Sequence, residues 1–204
     1  MKKVFAIVAL IAAMFVAGNV QAQSTIYAGY APESFVSGNT SNNFQGFFVG
    51  FAKNFGIAKN FGVATGAEFR MNTKSGDALF GLGTGKSTQA LIDVPILFNY
   101  AIGINRDIAI TPFVGLMVSL ALVGNTKTTA GSHTETYNWY GDNLIPNIFY
   151  PNSRFNLYAV FGADLKFSQF NLFGGYRLGL LDLNSKSDIT IKANGFFVGL
   201  GFSL

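Results

Sequence analysis

Cysteine is absent from the 204 residues, and histidine occurs once, as His133. These gaps exclude a disulfide framework, a thiol nucleophile and Cys-based zinc sites. Charge is scarce too, at 12% of residues, while Phe and Gly number 22 and 24. So much apolar surface excludes a charged, disordered chain. Beyond the N-terminal segment there is no uninterrupted apolar run of about 18 residues, which a membrane-spanning helix needs. The best stretch, residues 108–124, is broken by Thr111, Pro112, Gly115, Ser119 and Gly124.

The chain opens with Met1, Lys2 and Lys3, continues through an apolar run over residues 4–17, and then reads Val20, Gln21, Ala22. A short cationic start, an apolar run too short to span and a small-residue site predict a secretory signal peptide over residues 1–22, cut after Ala22. Residues 23–204 are then one domain. Removing Lys2 and Lys3 leaves a net charge of about +2 with no basic run or stripe, which argues against a nucleic-acid partner.

Period-two alternation fills the rest. Phe47, Val49, Phe51 and Phe55 share one face of their segment, and Phe48, Gly50, Ala52 and Asn54 the other. Phe61, Val63, Thr65, Ala67, Phe69 and Met71 oppose Gly62, Ala64, Gly66, Glu68 and Arg70. Ile92, Val94, Ile96, Phe98 and Tyr100 oppose Leu91, Asp93, Pro95, Leu97 and Asn99. The same split recurs around Val114–Leu120, Phe155–Phe167, Leu172–Leu180 and Phe196–Leu204, and less distinctly at Ile26, Ala28 and Tyr30. Glu68, Arg70, Asp93, Asp164, Lys166 and Arg177 all fall on the Gly-rich face, whereas the opposite face is almost free of charge, with Lys53 and Asp182 at strand ends. A soluble sandwich and a membrane barrel both alternate in this way. The export signal, the large lipid-type side chains and the low charge favour an all-β, eight-stranded antiparallel up-and-down transmembrane β-barrel. Short links near residues 56–60, 104–107 and 168–169 alternate with longer ones over residues 32–44, 73–88, 123–153 and 183–192, the rhythm expected of short periplasmic turns and long outer loops.

Four segments carry a family resemblance: Leu91-Ile92-Asp93-Val94-Pro95-Ile96-Leu97, Phe161-Gly162-Ala163-Asp164-Leu165, Tyr176-Arg177-Leu178-Gly179-Leu180 and the closing Gly199-Leu200-Gly201-Phe202-Ser203-Leu204. They resemble the strands of the PorT-like small outer-membrane β-barrel proteins (outer membrane protein β-barrel domain). Leu204 departs from the pattern, standing where an aromatic is usual. The resemblance implies a Gram-negative outer-membrane location and no enzymatic activity. Outer-membrane lipid and, through the C-terminal strand, the barrel assembly machinery are the expected partners, with a surface or periplasmic protein as a further one. No cofactor or metal is expected.

An eight-stranded lumen is just wide enough for side chains to fill. Three acids (Glu68, Asp93, Asp164) and three bases (Arg70, Lys166, Arg177) projecting there should form a paired charge cluster, because an unpaired buried charge costs several kcal/mol. A gated ion path is the alternative use of the same groups. In the longest predicted loop, Tyr137, Trp139, Tyr140, Phe149 and Tyr150 are candidate contact residues, since aromatics bury large area at low entropic cost; packing on one another or joining an aromatic girdle is the competing account. Ser132, His133 and Glu135 resemble nucleophile, base and orienter only in composition, for they lie among Thr, Gly and Asn with no rigid support. Gly81-Leu82-Gly83-Thr84-Gly85-Lys86-Ser87 ends like a phosphate-binding loop but has Phe80 where its first glycine belongs. The expected role is structural or surface-interacting and non-enzymatic, with narrow or secretion-associated transport and lipid modification as alternatives.

Overall fold

A computed structural model of the chain describes residues 22–77, 84–105, 107–141, 152–184 and 190–204. The predicted signal peptide up to residue 21, the loop residues Phe149 and Tyr150, and Gly81, Leu82 and Gly83 lie outside these. The strands are β1 (Ala22–Tyr30), β2 (Glu33–Ser37), β3 (Thr40–Gly56), β4 (Phe61–Asp77), β5 (Thr84–Tyr100), β6 (Ile102–Gly103), β7 (Ile108–Ala130), β8 (His133–Asn138), β9 (Phe155–Phe167), β10 (Phe170–Gly179) and β11 (Lys192–Ser203).

Eight of them close a ring. Starting at β1, the order is β3, β4, β5, β7, β9, β10, β11 and back to β1, antiparallel throughout. Ala28 meets Val49 on one side and Leu200 on the other, so no edge remains at the seam. The expected eight-stranded up-and-down barrel is what the chain forms. β2 carries the line of β1 onward, pairing with β3 and with β11. The break between them falls at Pro32, which has no N–H to give a ladder, while the Ala31 amide still reaches the Gly46 carbonyl at 2.8 Å. β6 and β8 are accessory strands on β7.

Alternation sorts the two faces as the sequence predicts. Phe47 is 59% exposed on the outside and its neighbour Phe48 is 4% exposed inside. Ile26, Val49, Phe69, Ile92, Phe98, Val114, Leu116, Phe161, Leu178, Phe196 and Leu200 all project outward from the ring. A closed belt of large apolar side chains is incompatible with water. Closed strands that satisfy every backbone group are one of the two structures able to cross hydrocarbon. Aromatic pairs lie near the short-turn end of the belt, Phe61 with Tyr100 and Phe170 with Phe202, and higher up Tyr30 packs on Phe47 and Phe196.

Of the expected loops, 32–44 and 73–88 are largely strand, and 123–153 begins as one. Residues 32–44 are β2, a tight turn with Gly38 at φ +53°, and the start of β3. β4 and β5 run on to Asp77 and from Thr84, and residues 123–138 are the top of β7, a turn at Gly131 (φ +59°) and β8. These stretches are rich in Thr, Ser and Asn, so their alternation has no apolar face to reveal it. They pair nonetheless, as in Thr73 with Thr88 and Thr129 with Thr134. A bulge at Leu122 lets Ala90 face Val123 while Leu91 faces Ala121, and both Leu122 and Val123 point outward.

Candidate functional site

β4 serves as a ruler along the lumen. Its inward residues, read toward the short-turn end, are Asn72, Arg70, Glu68 and then Ala64, and each sits in a different environment. Two lumen-facing glycines make room for rings to cross the narrow interior: a Cβ on Gly50 would lie 2.5 Å from the Tyr27 ring, and one on Gly199 2.5 Å from that of Phe173.

At the long-strand end, the lumen is closed by aromatics. Phe35 and Phe44 pack edge to face with centroids 5.2 Å apart, and Trp139 lies 6.4 and 5.8 Å from them. Trp139 donates its indole N–H to Thr126 Oγ1 at 2.9 Å, and Thr126 and Ser87 hydroxyls meet at 2.9 Å. Leu183, Ile191 and Ala193 join this buried cluster.

Directly below lies the first ionic layer. Arg70 donates Nε to Asp93 Oδ2 at 2.7 Å and Nη1 to Glu33 Oε1 at 2.8 Å. All three side chains are at most 3% exposed. Glu33 also accepts from the Tyr158 hydroxyl and, at 2.6 Å, from Asn72 Nδ2, which reaches Gln89 at 3.0 Å as well. Gln89 in turn donates to the Tyr140 hydroxyl at 2.9 Å, and the Arg154 guanidinium covers the Tyr140 ring at 4.5 Å. Burial pushes the Tyr140 phenol up to about 12, against the opposing effects of the Gln89 hydrogen bond and the Arg154 charge. Such connectivity meets the requirement that buried charge be paired and hydrogen-bonded.

A second ionic layer follows, where Arg177 Nη2 donates to Glu68 Oε1 at 2.8 Å and the guanidinium lies 5.3 and 4.8 Å from the Phe48 and Phe197 rings. Beneath this pair the filling stops. A cavity of about 350 Å³ occupies the short-turn half of the lumen, with Arg177 and Glu68 at its inner end and Gln23, Asn54, Lys166 and Ser203 toward its mouth. At that mouth Asn171 donates to Asp164 at 2.7 Å and Lys166 to Gln23 at 2.9 Å.

The structure therefore brings all six predicted lumen charges inside, but in three groups: Arg70 with Asp93, Arg177 with Glu68, and Asp164 and Lys166 each held by neutral partners near the mouth. Glu33 falls within the link expected over residues 32–44, yet it lies on β2 and is buried in the lumen. The signal was present, since Glu33 and Phe35 continue the inward series Tyr27, Gly29 and Ala31 past Pro32. Among the candidate contact residues, Trp139 is 1% exposed and is a stopper rather than a surface contact. Its indole finds an apolar neighbourhood and a hydroxyl acceptor only inside the lumen. Tyr140 is turned toward Gln89, and Tyr137, on the projecting hairpin, hydrogen-bonds Glu135; that bond, ahead of slight burial and the Glu135 charge, raises its phenol pKa. Ser132 and His133 sit exposed at the hairpin tip, apart from the buried clusters. Gly85, Lys86 and Ser87 lie within β5, with no helix following, so no phosphate loop forms. Among the described residues, no group of three or more His, Cys, Asp or Glu is placed to hold a metal ion.

No family model matches the chain, and no curated protein matches it by sequence. The PorT-like resemblance thus rests on its short motifs. Among solved structures, the chain is similar to Neisserial surface protein A at 12% identity, covering 89% of this chain and 97% of that one with a TM-score of 0.50. It is also similar to Ail, the attachment invasion locus protein of Yersinia pestis, crystallised with the heparin analogue sucrose octasulfate (18% identity, 91% and 100% coverage, TM-score 0.49). The outer membrane enzyme PagL matches at 14% identity, 84% and 97% coverage and a TM-score of 0.41. These similarities concern the fold, small outer-membrane barrels.

Proposed function

We propose that the chain is exported by residues 1–22 and sits in the outer membrane as a closed, non-enzymatic barrel that acts through its outer rim. The observation that carries this reading is the stopper: Phe35, Phe44 and Trp139 are at most 1% exposed and cap the buried Glu33–Arg70–Asp93 layer. The short-turn end and both termini then face the periplasm, and the polar upper parts of β3, β4, β5, β7 and β8 stand outside as a palisade. Among the described residues, the β7–β8 hairpin is a prominent element there, with residues 133–136 all exposed. Phe202 on the last strand and Leu204 just after it, both exposed, are the groups offered to the assembly machinery.

Shortening the hairpin by removing residues 128–135 and joining Lys127 to Thr136 through a two-residue turn leaves Trp139 and the stopper untouched. Cell-surface binding should be lost while heat-modifiable migration of the folded barrel is retained. Unchanged surface binding would remove the hairpin from the account. A steady, large conductance in planar bilayers would contradict the closed lumen, and lipid deacylation lost in His133→Ala would contradict the non-enzymatic reading.

A further inference from the structure

Above the apolar belt, two lysines stand side by side on the outer wall. Lys86 of β5 and Lys127 of β7 are direct cross-strand partners, which puts their Cα atoms about 5 Å apart. Both share a face with Ala90 and Val123 at the top of the belt, because the alternate residues Ser87, Gln89 and Thr126 turn inward. Both are exposed. Like charges directly opposite one another destabilise a sheet. Among the described residues, neither ammonium has a carboxylate within ion-pair reach.

The ladder around them supplies hydroxyls rather than counter-charge. Ser75 lies opposite Lys86 and Thr136 opposite Lys127, with Thr88 next along β5 on the same face. Asp77 sits one outward row higher, level with Thr84, and His133 and Glu135 belong to the other face of β8, where Glu135 takes the Tyr137 hydroxyl. Lys74 turns inward to Asn42. Counting Asp77 against the two ammonium groups still leaves a net positive charge. Four residues separate each lysine from Ala90 or Val123, about 10 Å of height at the rise and tilt of barrel strands. The headgroup layer is roughly 5–8 Å deep, and a lysine can lower its ammonium along its own apolar stem. The pair is therefore set at the level of lipid headgroups and aimed sideways into them.

We propose that Lys86 and Lys127 together hold a phosphate group of an outer-leaflet lipid, with the hydroxyls of Ser75, Thr88 and Thr136 available to its remaining oxygens. A phosphate monoester carries close to two negative charges near neutral pH, so one such group offsets both lysines. The assignment rests on the orientation proposed above, with the long-strand end outside, and needs none of the hairpin residues 128–135.

Native mass spectrometry of the detergent-solubilised barrel tests this by measuring the lipid that stays bound. The probes are diphosphoryl lipid A, the same lipid stripped of its phosphates, and inorganic pyrophosphate as a free anion. The phosphorylated lipid should be held at least about tenfold more tightly than the stripped one. Lys86→Gln and Lys127→Gln should each weaken it roughly fivefold, the worth of one lysine beside anionic headgroups, and the double variant should bind the two lipids alike. Lys59→Gln, in the exposed turn between β3 and β4 at the opposite end of the barrel, should leave the preference unchanged. Equal retention of the two lipids overturns the proposal, as does a double variant that keeps the preference or pyrophosphate that binds as tightly as the phosphorylated lipid. The orientation is checked apart from these. Ser132→Cys at the hairpin tip, in a chain without native cysteine, should react with a membrane-impermeant maleimide in intact cells. Reaction only after lysis would overturn the outer-leaflet assignment whatever the lipid preference measured in detergent.

Discussion

The two halves of the lumen are built from the same alternation and end in opposite conditions. In the outer half large or hydrogen-bonding groups, among them Phe35, Phe44, Trp139, Arg70, Asp93, Asn72 and Gln89, are buried against one another. In the inner half the corresponding positions on β3 and β4 are Ala52 and Ala64, and a cavity remains. The ring of strands closes around both. The difference teaches that the backbone ring sets only the width of an eight-stranded lumen, and that inward side-chain volume decides whether it is closed.

The sharpest way to break this contrast is to remove the cation of the outer half. Arg70→Met strands Glu33 and Asp93 as buried, unpaired carboxylates, and should destabilise the barrel by about 3–5 kcal/mol in denaturant unfolding from bilayers. Replacing all three together, with Glu33→Gln, Arg70→Met and Asp93→Asn, should recover most of that loss, since the cost lies in the uncompensated charge. A comparable recovery failing to appear would mean the layer stabilises by more than charge balance.

Truncating aromatics in the two halves comes next. Trp139→Ala opens a cavity in a solid cluster and should cost roughly 3–5 kcal/mol. Phe113 borders an existing space, and a smaller loss is expected for Phe113→Ala from the same unfolding measurement, because fewer of its contacts are lost than for Trp139. Equal costs would contradict the difference between halves. On the outside, Leu116→Arg places a charge on the lipid face midway along β7, where about 2–4 kcal/mol is expected.

The smallest effect concerns the neck between β10 and β11. Burial acts to raise the Asp182 carboxyl, but hydrogen bonds from the Ile191 and Asn184 amides and the Thr190 side chain, with the charge of Lys192, outweigh it and hold the carboxyl below its usual range. A carboxylate lowered in the folded state contributes order that is complete above its unfolded pKa and is lost as pH falls through the lowered folded one. Hydrogen exchange at the Ile191 amide should therefore be slow near neutrality and quicken, beyond the intrinsic pH trend, only below the usual carboxylate range. Asp182→Asn should remove that dependence.

How much of this was legible in the sequence follows from what alternation can carry. Phe47 against Phe48, or Ile92 against Asp93, differ so strongly in where they are stable that face, strand and barrel can all be read from them. Above the apolar belt the chemical contrast vanishes: Thr73, Thr88 and Asn125 pair as regular strand yet look like loop. Glu33 was hidden for the same reason, beyond Pro32 and among Ser and Asn. Charge pairing could be anticipated in kind but not in partner, because Arg70 and Glu68, two residues apart on β4, reach to different neighbours. Trp139 shows a further limit. An aromatic in a polar segment reads as an exposed anchor until the chain is seen to fold back into the mouth of its own barrel.

Adjacent residues offer the most direct test of the arrangement from which all this follows. Leu97 faces the cavity and Phe98, 59% exposed, faces outward one position later on β5. With no native cysteine to interfere, spin labels at Leu97→Cys and Phe98→Cys in bilayers report the two faces separately. The account predicts that the label at 98 is relaxed by oxygen dissolved in lipid and shielded from a water-soluble nickel chelate, with the reverse at 97. Chelate access at 98 together with lipid-oxygen access at 97 would contradict it.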